Sequence, residues 1–309
     1  MVTKHASYPK PSTSTISIIL LPLIIFILIT LIVYPNESKL QAATSDCTTS
    51  APYADFTERV KVKPDIRLLI GVLTLPGNYE RRNLVRLAYG FQPEHSGHVD
   101  VKFVFCNVTK EEDIVLVALE IMRYNDIIIL DCAENMDGGK TYTYFSSLPK
   151  IFDDEPYDYV MKTDDDTYLR LNNLVDTLKR LPRESLYFGL MTPCFGTKAD
   201  HYMSGMGYVV SWDLVQWIST SDVARSHHTG PEDLITGKWF RDGGKAVHMY
   251  DATPAMYDYF QPPHLCYRHE FIPDTVAIHK LKDNLRWVKT LKYFNVTDGL
   301  KPSKLYHLP

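Results

Sequence analysis

The sequence predicts an α/β fold with a mainly parallel central sheet, and three observations support this prediction. Strand-like and helix-like segments alternate along residues 64–309. The segment 66–74 is almost continuously apolar, which is typical of a strand that is buried on both faces of a sheet. A later strand-like segment, 157–162, with the apolar run 159–161, is followed after Thr163 by three aspartates. In open α/β sheets, ligands bind at the carboxyl ends of the strands.

The elements after residue 64 follow from local patterns. Pro76-Gly-Asn is a turn signal that separates the first strand from a helix. Residues 111–113 are Glu-Glu-Asp, and acidic side chains are favoured at the positive, N-terminal end of a helix dipole. A helix is therefore expected to begin there. Apolar residues at 171, 174, 175 and 178 mark one face of a further helix. The predicted strands are 66–74, 101–106, 126–131 and 157–162, and the predicted helices are 79–89, 111–124, 140–152 and one near 171–178.

Composition excludes several classes of protein. The chain has 309 residues, with 33 Lys and Arg against 37 Asp and Glu, so no overall positive field attracts nucleic acid. Hydrophobic residues make up 45% of the chain, which is enough to bury a core. Five cysteines are too few to build a disulfide-based miniature domain.

The N-terminal region predicts a membrane anchor. Residues 16–34 are 19 uncharged, mostly apolar residues, and as a helix they would span about 28 Å. The preceding flank carries Lys4 and Lys10 and no acid, which places it in the cytosol and the rest in a lumen. A cleaved signal peptide is the alternative, although its apolar core would be roughly 7–15 residues. We expect a cytosolic tail (1–15), a signal anchor (16–34), a polar stem (35–63) and a lumenal domain (64–309).

A lumenal location is consistent with two further features. Glycosylation sequons begin at Asn36, Asn107 and Asn295. The lumen is oxidising, so disulfides are expected, but five is an odd number and at least one cysteine has no partner within the chain. The sequence leaves open the pairing among Cys47, Cys106, Cys132, Cys194 and Cys266.

Asp164, Asp165 and Asp166 follow the predicted strand at 157–162. Adjacent carboxylates repel one another, and each prefers water or a cation. Mg²⁺ and Mn²⁺ take oxygen ligands and bridge a pyrophosphate. Alternate residues of an extended segment point the same way, so Asp164 and Asp166 can face one site. A solvated acidic turn is the alternative interpretation.

Two later segments offer further candidates. Glu232 and Asp233 precede a helix-like segment, where acids are ordinary first-turn residues. The functional interpretation is a carboxylate base at a helix end that faces the metal site. His279 follows a strand-like run and is of interest only as a third partner of that site.

The order of these motifs resembles the β1,3-galactosyltransferase-like family of Golgi glycosyltransferases, glycosyltransferase family 31. The resemblance covers roughly residues 65–300. The similar segments are Pro76-Gly-Asn-Tyr-Glu-Arg81-Arg82 with Arg86, Lys140-Thr-Tyr-Thr-Tyr-Phe145, Tyr159-Val-Met-Lys-Thr-Asp-Asp-Asp166, Tyr202-Met-Ser-Gly205-Met-Gly207, and Glu232-Asp233.

The resemblance implies a GT-A fold, a Golgi type II membrane enzyme, a UDP-sugar donor, Mn²⁺ (with Mg²⁺ as the alternative) and inversion at the anomeric carbon. UDP-galactose is the favoured donor, and a glycoprotein or glycan hydroxyl is the expected acceptor. By position, the implied roles are donor contact for Asp164, Asp165, Arg81, Arg82 and Arg86, metal binding for Asp166 and His279, and general base for Asp233.

The sequence departs from the family pattern in regions that shape the acceptor side. Ala88-Tyr89 stands where many members have Thr-Trp, the stretch 190–202 is short, and Met206 interrupts a glycine-rich run. Trp239-Phe240 after the acidic pair resembles plant members that act on hydroxyproline-rich proteins.

Three alternatives stay open: an N-acetylglucosaminyltransferase that uses UDP-N-acetylglucosamine, an inactive lumenal sugar-binding protein, and a glycosidase, which would also need two carboxylates.

Overall fold

A seven-stranded sheet forms the centre of the described part of the protein. The structure is a computed structural model, and it describes residues 65–154, 156–195, 201–260, 266–301 and 303–305. The described residues form ten strands: β1 (Arg67–Leu73), β2 (His98–Phe105), β3 (Ile127–Ile129), β4 (Tyr159–Asp164), β5 (Tyr168–Leu169), β6 (Leu186–Thr192), β7 (Tyr202–Ser211), β8 (His248–Asp251), β9 (Met256–Asp258) and β10 (Ala277–His279).

The order of strands in the large sheet is β3-β2-β1-β4-β7-β6-β8. Among these strands β7 alone runs antiparallel to its neighbours, so the prediction of a mainly parallel sheet is confirmed. From β1 the chain builds outward through β2 and β3 and then returns to place β4 on the other side of β1. This change of direction creates a crevice between the carboxyl ends of β1 and β4, where open α/β sheets bind ligands.

Helices cover the sheet. They are α1 (Tyr79–Gly90), α2 (Glu111–Tyr124), α3 (Lys140–Ile151), α4 (Leu171–Leu178), α5 (Trp212–Thr220), α6 (Asp222–Ser226), α7 (Glu232–Asp242) and α8 (Asn284–Tyr293), with a 3₁₀ turn at Met136–Gly138. Successive residues of β1 point to opposite faces, as a strand requires. Ile70 and Val72 therefore join one buried cluster, whereas Leu69 and Leu73 join a second.

Most predicted element boundaries agree with the structure to within about two residues. The predicted strand at 157–162 is displaced: β4 begins at Tyr159 and continues through Asp164. The reason is that β4 pairs with β1 up to the register Leu73↔Asp164, so the acidic motif begins inside the sheet. The predicted strand at 126–131 is shortened to Ile127–Ile129, at the edge of the sheet.

A second, three-stranded sheet has the order β5-β10-β9. β10 runs antiparallel to β5 and parallel to β9. β5 starts two residues after Asp166, and β10 ends at His279. The pairing of these two strands therefore places His279 close to the acidic motif. The small sheet therefore positions the site, and six of its eight residues also belong to the buried core.

Two disulfides join parts of the described chain, Cys106 with Cys132 and Cys194 with Cys266. The first links the segment after β2 to the segment after β3. Cys47 and the predicted tail, anchor and stem lie outside the described residues. Among the residues that the structure describes, no helix is both long and apolar enough to cross a bilayer.

Arg82 of α1 is an ion-paired side chain in the interior. Its guanidinium is 0% exposed, lies 2.5 Å from Glu120 Oε1 of α2, and donates to the carbonyls of Leu75 and Pro76. Arg86 Nη2 also lies 2.6 Å from Glu120 Oε2. Burial alone would raise the pKa of Glu120, but the two arginines outweigh burial and lower it.

We expect Glu120→Ala to lower the free energy of unfolding by about 3–5 kcal/mol, because it leaves a buried guanidinium without its carboxylate. Urea denaturation of the two proteins measures the difference. Glu112→Ala is the matched control, since Glu112 is exposed in the first turn of the same helix and its loss is expected to cost less than about 1 kcal/mol. An equal effect of the two substitutions would contradict the structural role of this ion pair.

Candidate active site

The acidic motif lies where the two sheets meet. Asp164 ends β4, and Asp165 and Asp166 form the turn that leads to β5. β5 pairs with β10 in the register Tyr168↔Ile278, and Leu281 N donates to Asp166 O at 3.0 Å. These backbone bonds place His279, the last residue of β10, beside the motif.

Three side chains from this junction converge. His279 Nε2 lies 3.4 Å from Asp166 Oδ1 and 3.6 Å from Asp164 Oδ2. One ligand atom from each of these three residues lies within 4.8 Å of the others. Asp164 ends the strand and Asp166 lies in the turn that Thr167 N closes by donating to Asp164 O at 3.2 Å, and these two carboxylates share the site while Asp165 points elsewhere.

Asp258 fixes the orientation of His279. It ends β9, which pairs in parallel with β10 in the register His279↔Asp258. His279 Nδ1 lies 2.8 Å from Asp258 Oδ1, so the opposite ring nitrogen, Nε2, faces Asp164 and Asp166. Burial alone would lower the pKa of His279, but the three carboxylates outweigh burial and raise it to about 10. Burial alone would raise the pKa values of Asp164 and Asp166, but Lys162 and His279 lower that of Asp164, and His279 and Lys282 lower that of Asp166.

The donor set fits a divalent cation. His279 Nε2 is buried and makes no hydrogen bond among the described residues, although two carboxylates lie close to it. Two carboxylate oxygens and one imidazole nitrogen can together hold a divalent metal ion. A carboxylate behind the imidazole is also the usual arrangement behind a metal-bound histidine.

Lys162 is a buried cation in contact with the acidic motif. It is fully buried on β4, two residues before Asp164 and on the same face of the strand. Its ammonium donates to Asp164 Oδ1 at 2.9 Å, Glu232 Oε1 at 2.6 Å and Gly205 O at 2.6 Å. Burial would lower the pKa of Lys162, but Asp164 and Glu232 outweigh burial and raise it. Lys162 therefore connects β4, β7 and the start of α7.

Asp233 lies in the first turn of α7 and faces the same region. It lines a cavity of about 130 Å³ together with Asp258 and His279. Gly205 N of β7 donates to Asp233 Oδ2 at 3.1 Å. A Cβ at position 205 would lie 2.5 Å from Glu232 Oε1, so a side chain there would displace the carboxylate oxygen that accepts from Lys162.

Asp165 points to a different cavity. Its Oδ2 accepts hydrogen bonds from Thr74 Oγ1 at 2.6 Å and Asn78 Nδ2 at 3.2 Å. The cavity has a volume of about 660 Å³ and is lined by residues of the β1–α1 turn, α1 and α8, including Asn78, Arg81 and Trp287. It opens at the crevice between β1 and β4.

The three predicted donor-loop arginines differ in their surroundings. Arg81 lines the larger cavity and donates to the carbonyls of Leu281 and Lys282 at 2.6 and 3.1 Å. Arg82 is buried against Glu120, and Arg86 is bound to Glu120 and Asp126. Direct donor contact by Arg82 or Arg86 stays a prediction that these bonds do not support, because the bonds give both side chains a structural role.

Three site residues were not predicted from the sequence: Lys162, Asp258 and Lys282. Lys282 Nζ lies 2.6 Å from Asp166 Oδ2. A signal existed for Lys162, because it precedes Asp164 by two residues on the same strand. The pairing of β9 with β10 is long-range, so no local pattern indicated that Asp258 contacts His279.

Comparisons with known proteins agree with these motifs. Residues 80–194 match the family model described as Galactosyltransferase, a segment that includes the acidic motif but neither Asp233 nor His279. The β1,3-galactosyltransferase pvg3 of Schizosaccharomyces pombe is 26% identical over 275 residues, which cover 70% of this chain and 71% of that protein. β1,3-Galactosyltransferase 6 of Mus musculus is 27% identical, over 61% of this chain and 63% of its own length.

The probable β1,3-galactosyltransferase 8 of Arabidopsis thaliana is 26% identical, over 65% of this chain and 59% of its own length. Among solved structures, the galactosyltransferase LgtC in complex with donor and acceptor sugar analogs aligns with a TM-score of 0.44 and 12% identity, over 76% of this chain and 97% of that one. A likeness this low carries no argument about activity. The family match and the relatives are the evidence for activity. They show that the chain contains a galactosyltransferase-family domain of the glycosyltransferase family 31 type and that it is a glycosyltransferase.

Proposed function

We propose that this protein is an inverting, Mn²⁺-dependent β1,3-galactosyltransferase that transfers galactose from UDP-galactose to a hydroxyl of a glycoprotein or glycan. One observation carries the proposal: His279, from the group of possible metal ligands, and the carboxylate Asp233 line the same cavity. A cation site and a base that share one cavity are what a displacement of a nucleotide from an activated sugar requires.

The metal ligands in this proposal are Asp164, Asp166 and His279, with Asp258 fixing the imidazole. When bound, Mn²⁺ supplies Lewis-acid stabilisation of the negative charge on the departing diphosphate. Asp164, which the sequence resemblance assigns to the donor, belongs to this ligand group by its position.

Asp233 is the proposed general base. Its two oxygens accept backbone hydrogen bonds from Gly205 and Leu234, and a carboxylate has about four acceptor sites, so capacity remains for an acceptor hydroxyl. The acceptor O–H proton passes to Asp233 as the oxygen attacks the anomeric carbon, and the bond from that carbon to the UDP oxygen breaks. One displacement by one nucleophile inverts the configuration.

The donor would bind across the crevice between β1 and β4, in a GT-A arrangement. The cavity of about 660 Å³ beside Asp165 is large enough for a nucleoside and has both polar and aromatic lining residues, including Asn78 and Trp287. Its position at the switch point of the sheet is the usual place for a nucleotide in an open α/β fold.

We also propose a Golgi membrane location with a single type II anchor at residues 16–34. The anchor segment is uncharged, two disulfides suit an oxidising compartment, and the sequon residues Asn107 and Asn295 are both exposed.

We expect UDP-galactose to give the highest rate when UDP release is measured with a panel of UDP-sugars and Mn²⁺. The panel includes UDP-glucose, UDP-N-acetylglucosamine and UDP-N-acetylgalactosamine, and EDTA should abolish release until Mn²⁺ is restored. A higher rate with UDP-N-acetylglucosamine would assign the alternative donor. Transfer that persists in EDTA would contradict metal dependence, and release of free sugar from a glycoside without UDP-sugar would indicate a glycosidase.

We expect Asp233→Asn to lower turnover by about 10²- to 10⁴-fold, because a general base is removed. The affinity for UDP with Mn²⁺, measured by calorimetry, should stay unchanged, since Asp233 is not among the metal ligands. Asp242→Asn is the matched control, because Asp242 is exposed at the other end of the same helix. Full transfer activity in Asp233→Asn would show that another group is the base.

The raised pKa of Glu232 makes the free energy of unfolding depend on pH. Burial raises the pKa of Glu232, Lys162 lowers it and Asp164 raises it, with a net rise to about 7. The folded protein therefore binds more protons than the unfolded chain between about pH 4.5 and 7, so stability falls as the pH rises through this window. Glu232→Gln keeps the shape of the side chain and removes the titration.

Between pH 4.5 and 7.5 we expect the unfolding free energy of the wild type to fall by roughly 2–4 kcal/mol relative to that of Glu232→Gln. Urea denaturation at both pH values measures this change, and the comparison of slopes cancels any constant cost of the substitution. Parallel pH profiles for the two proteins would contradict the raised pKa.

A further inference from the structure

Lys282 is a cationic side chain at the edge of the proposed metal site. Its ammonium lies 2.6 Å from Asp166 Oδ2, yet its side chain is 67% exposed. The neighbouring lysines differ: Lys162 is fully buried beneath the motif, and Lys280 is bound to Asp258 Oδ2 at 2.6 Å. Lys282 is therefore a cation that contacts a metal-ligand carboxylate from the solvent side.

The backbone that carries Lys282 is held in place. Leu281 N donates to Asp166 O, and Arg81 donates to the carbonyls of Leu281 and Lys282. Arg286 Nη1 also donates to Lys280 O at 2.8 Å. Because the backbone is fixed and the side chain is exposed, the ammonium can change partners by rotation of its flexible stem alone.

A divalent cation on Asp166 would change the balance of forces on Lys282. Two cations on one carboxylate repel, so the ammonium and the metal compete for Asp166. The diphosphate of the donor would lie against the same metal and bring two or more negative charges to that position. Lysine is a common point-charge ligand of phosphate groups.

We propose that Lys282 exchanges partners: it pairs with Asp166 in the metal-free protein and binds the diphosphate of the donor when Asp166 holds the metal. This inference rests on the proposed function. Lys282 then opposes the binding of metal alone and favours the binding of metal together with a nucleoside diphosphate. Such an arrangement makes the metal and the nucleotide bind cooperatively, since each affinity depends on the other. Arg81, which donates to the carbonyls of Leu281 and Lys282, holds the loop that carries Lys282.

Calorimetry on the purified full chain tests the exchange with Lys282→Ala, titrated with Mn²⁺ alone, with UDP in the presence of Mn²⁺, and with uridine in the presence of Mn²⁺. We expect Mn²⁺ alone to bind about 2- to 5-fold more tightly, because an exposed competing ion pair is removed. We expect UDP to bind about 10- to 100-fold more weakly, because a charge-assisted phosphate contact is lost. Uridine, which has no phosphate, should bind as it does to the wild type.

Two further variants complete the test. Lys282→Arg keeps the charge and should retain most of the UDP affinity, whereas Lys289→Ala, at an exposed position in α8, should leave all three affinities unchanged. Unchanged UDP affinity in Lys282→Ala would overturn the inference, and so would a parallel loss of Mn²⁺, UDP and uridine binding, which indicates a structural role. A wild-type protein that binds neither Mn²⁺ nor UDP would instead overturn the proposed function.

Discussion

The ammonium group of Lys162 lies beneath the acidic motif, where a central strand, an antiparallel strand and the start of a helix meet. Asp164, Glu232 and the carbonyl of Gly205 all accept hydrogen bonds from it. A buried charge is tolerated only when it is paired and fully hydrogen-bonded, and this arrangement meets that condition. Because Lys162 neutralises carboxylates on both sides, it lets Asp164 stay ionised next to Asp166 and fixes the helix that carries Asp233.

The small sheet complements this buried charge. β9 and β10 each end in a functional side chain, Asp258 and His279, and their parallel register places the two side by side. The antiparallel pairing of β10 with β5 then sets His279 against the acidic motif. The candidate metal site is therefore assembled from both sheets and the turn between them: Asp164 ends β4, Asp166 lies in the turn, and His279 ends β10.

Local patterns predicted much of the fold. The apolar run of β1 and the apolar face of α4 depend on sequence periodicity, so both were found from the sequence alone. Local sequence context made His279 and Asp233 candidates and the family resemblance assigned their roles, and the structure brings both residues to one cavity. Their chemical roles are not tested by geometry and stay predictions.

What could not be predicted depends on contacts between distant parts of the chain. An arginine in a helix looks the same in sequence whether it faces solvent or a buried acid, so Arg82 and Arg86 could not be distinguished from ligand-binding residues before Glu120 was located. The pairing of Cys106 with Cys132 and of Cys194 with Cys266 was likewise left open. It depends on where the segments after each strand meet, which spacing does not determine.

The wide separation in sequence of the site residues affects how the protein can mature. During synthesis the acidic motif emerges before Glu232, and Glu232 before His279. Until residues 279–282 have emerged, the aspartates lack both His279 and the Lys282 cation. A nascent chain that stops after the matched segment 80–194 would carry a cluster of repelling charges with no base and an incomplete cation site. The candidate site is thus complete only after every strand of the large sheet has been synthesised, since the last of them, β8, precedes His279 in the chain.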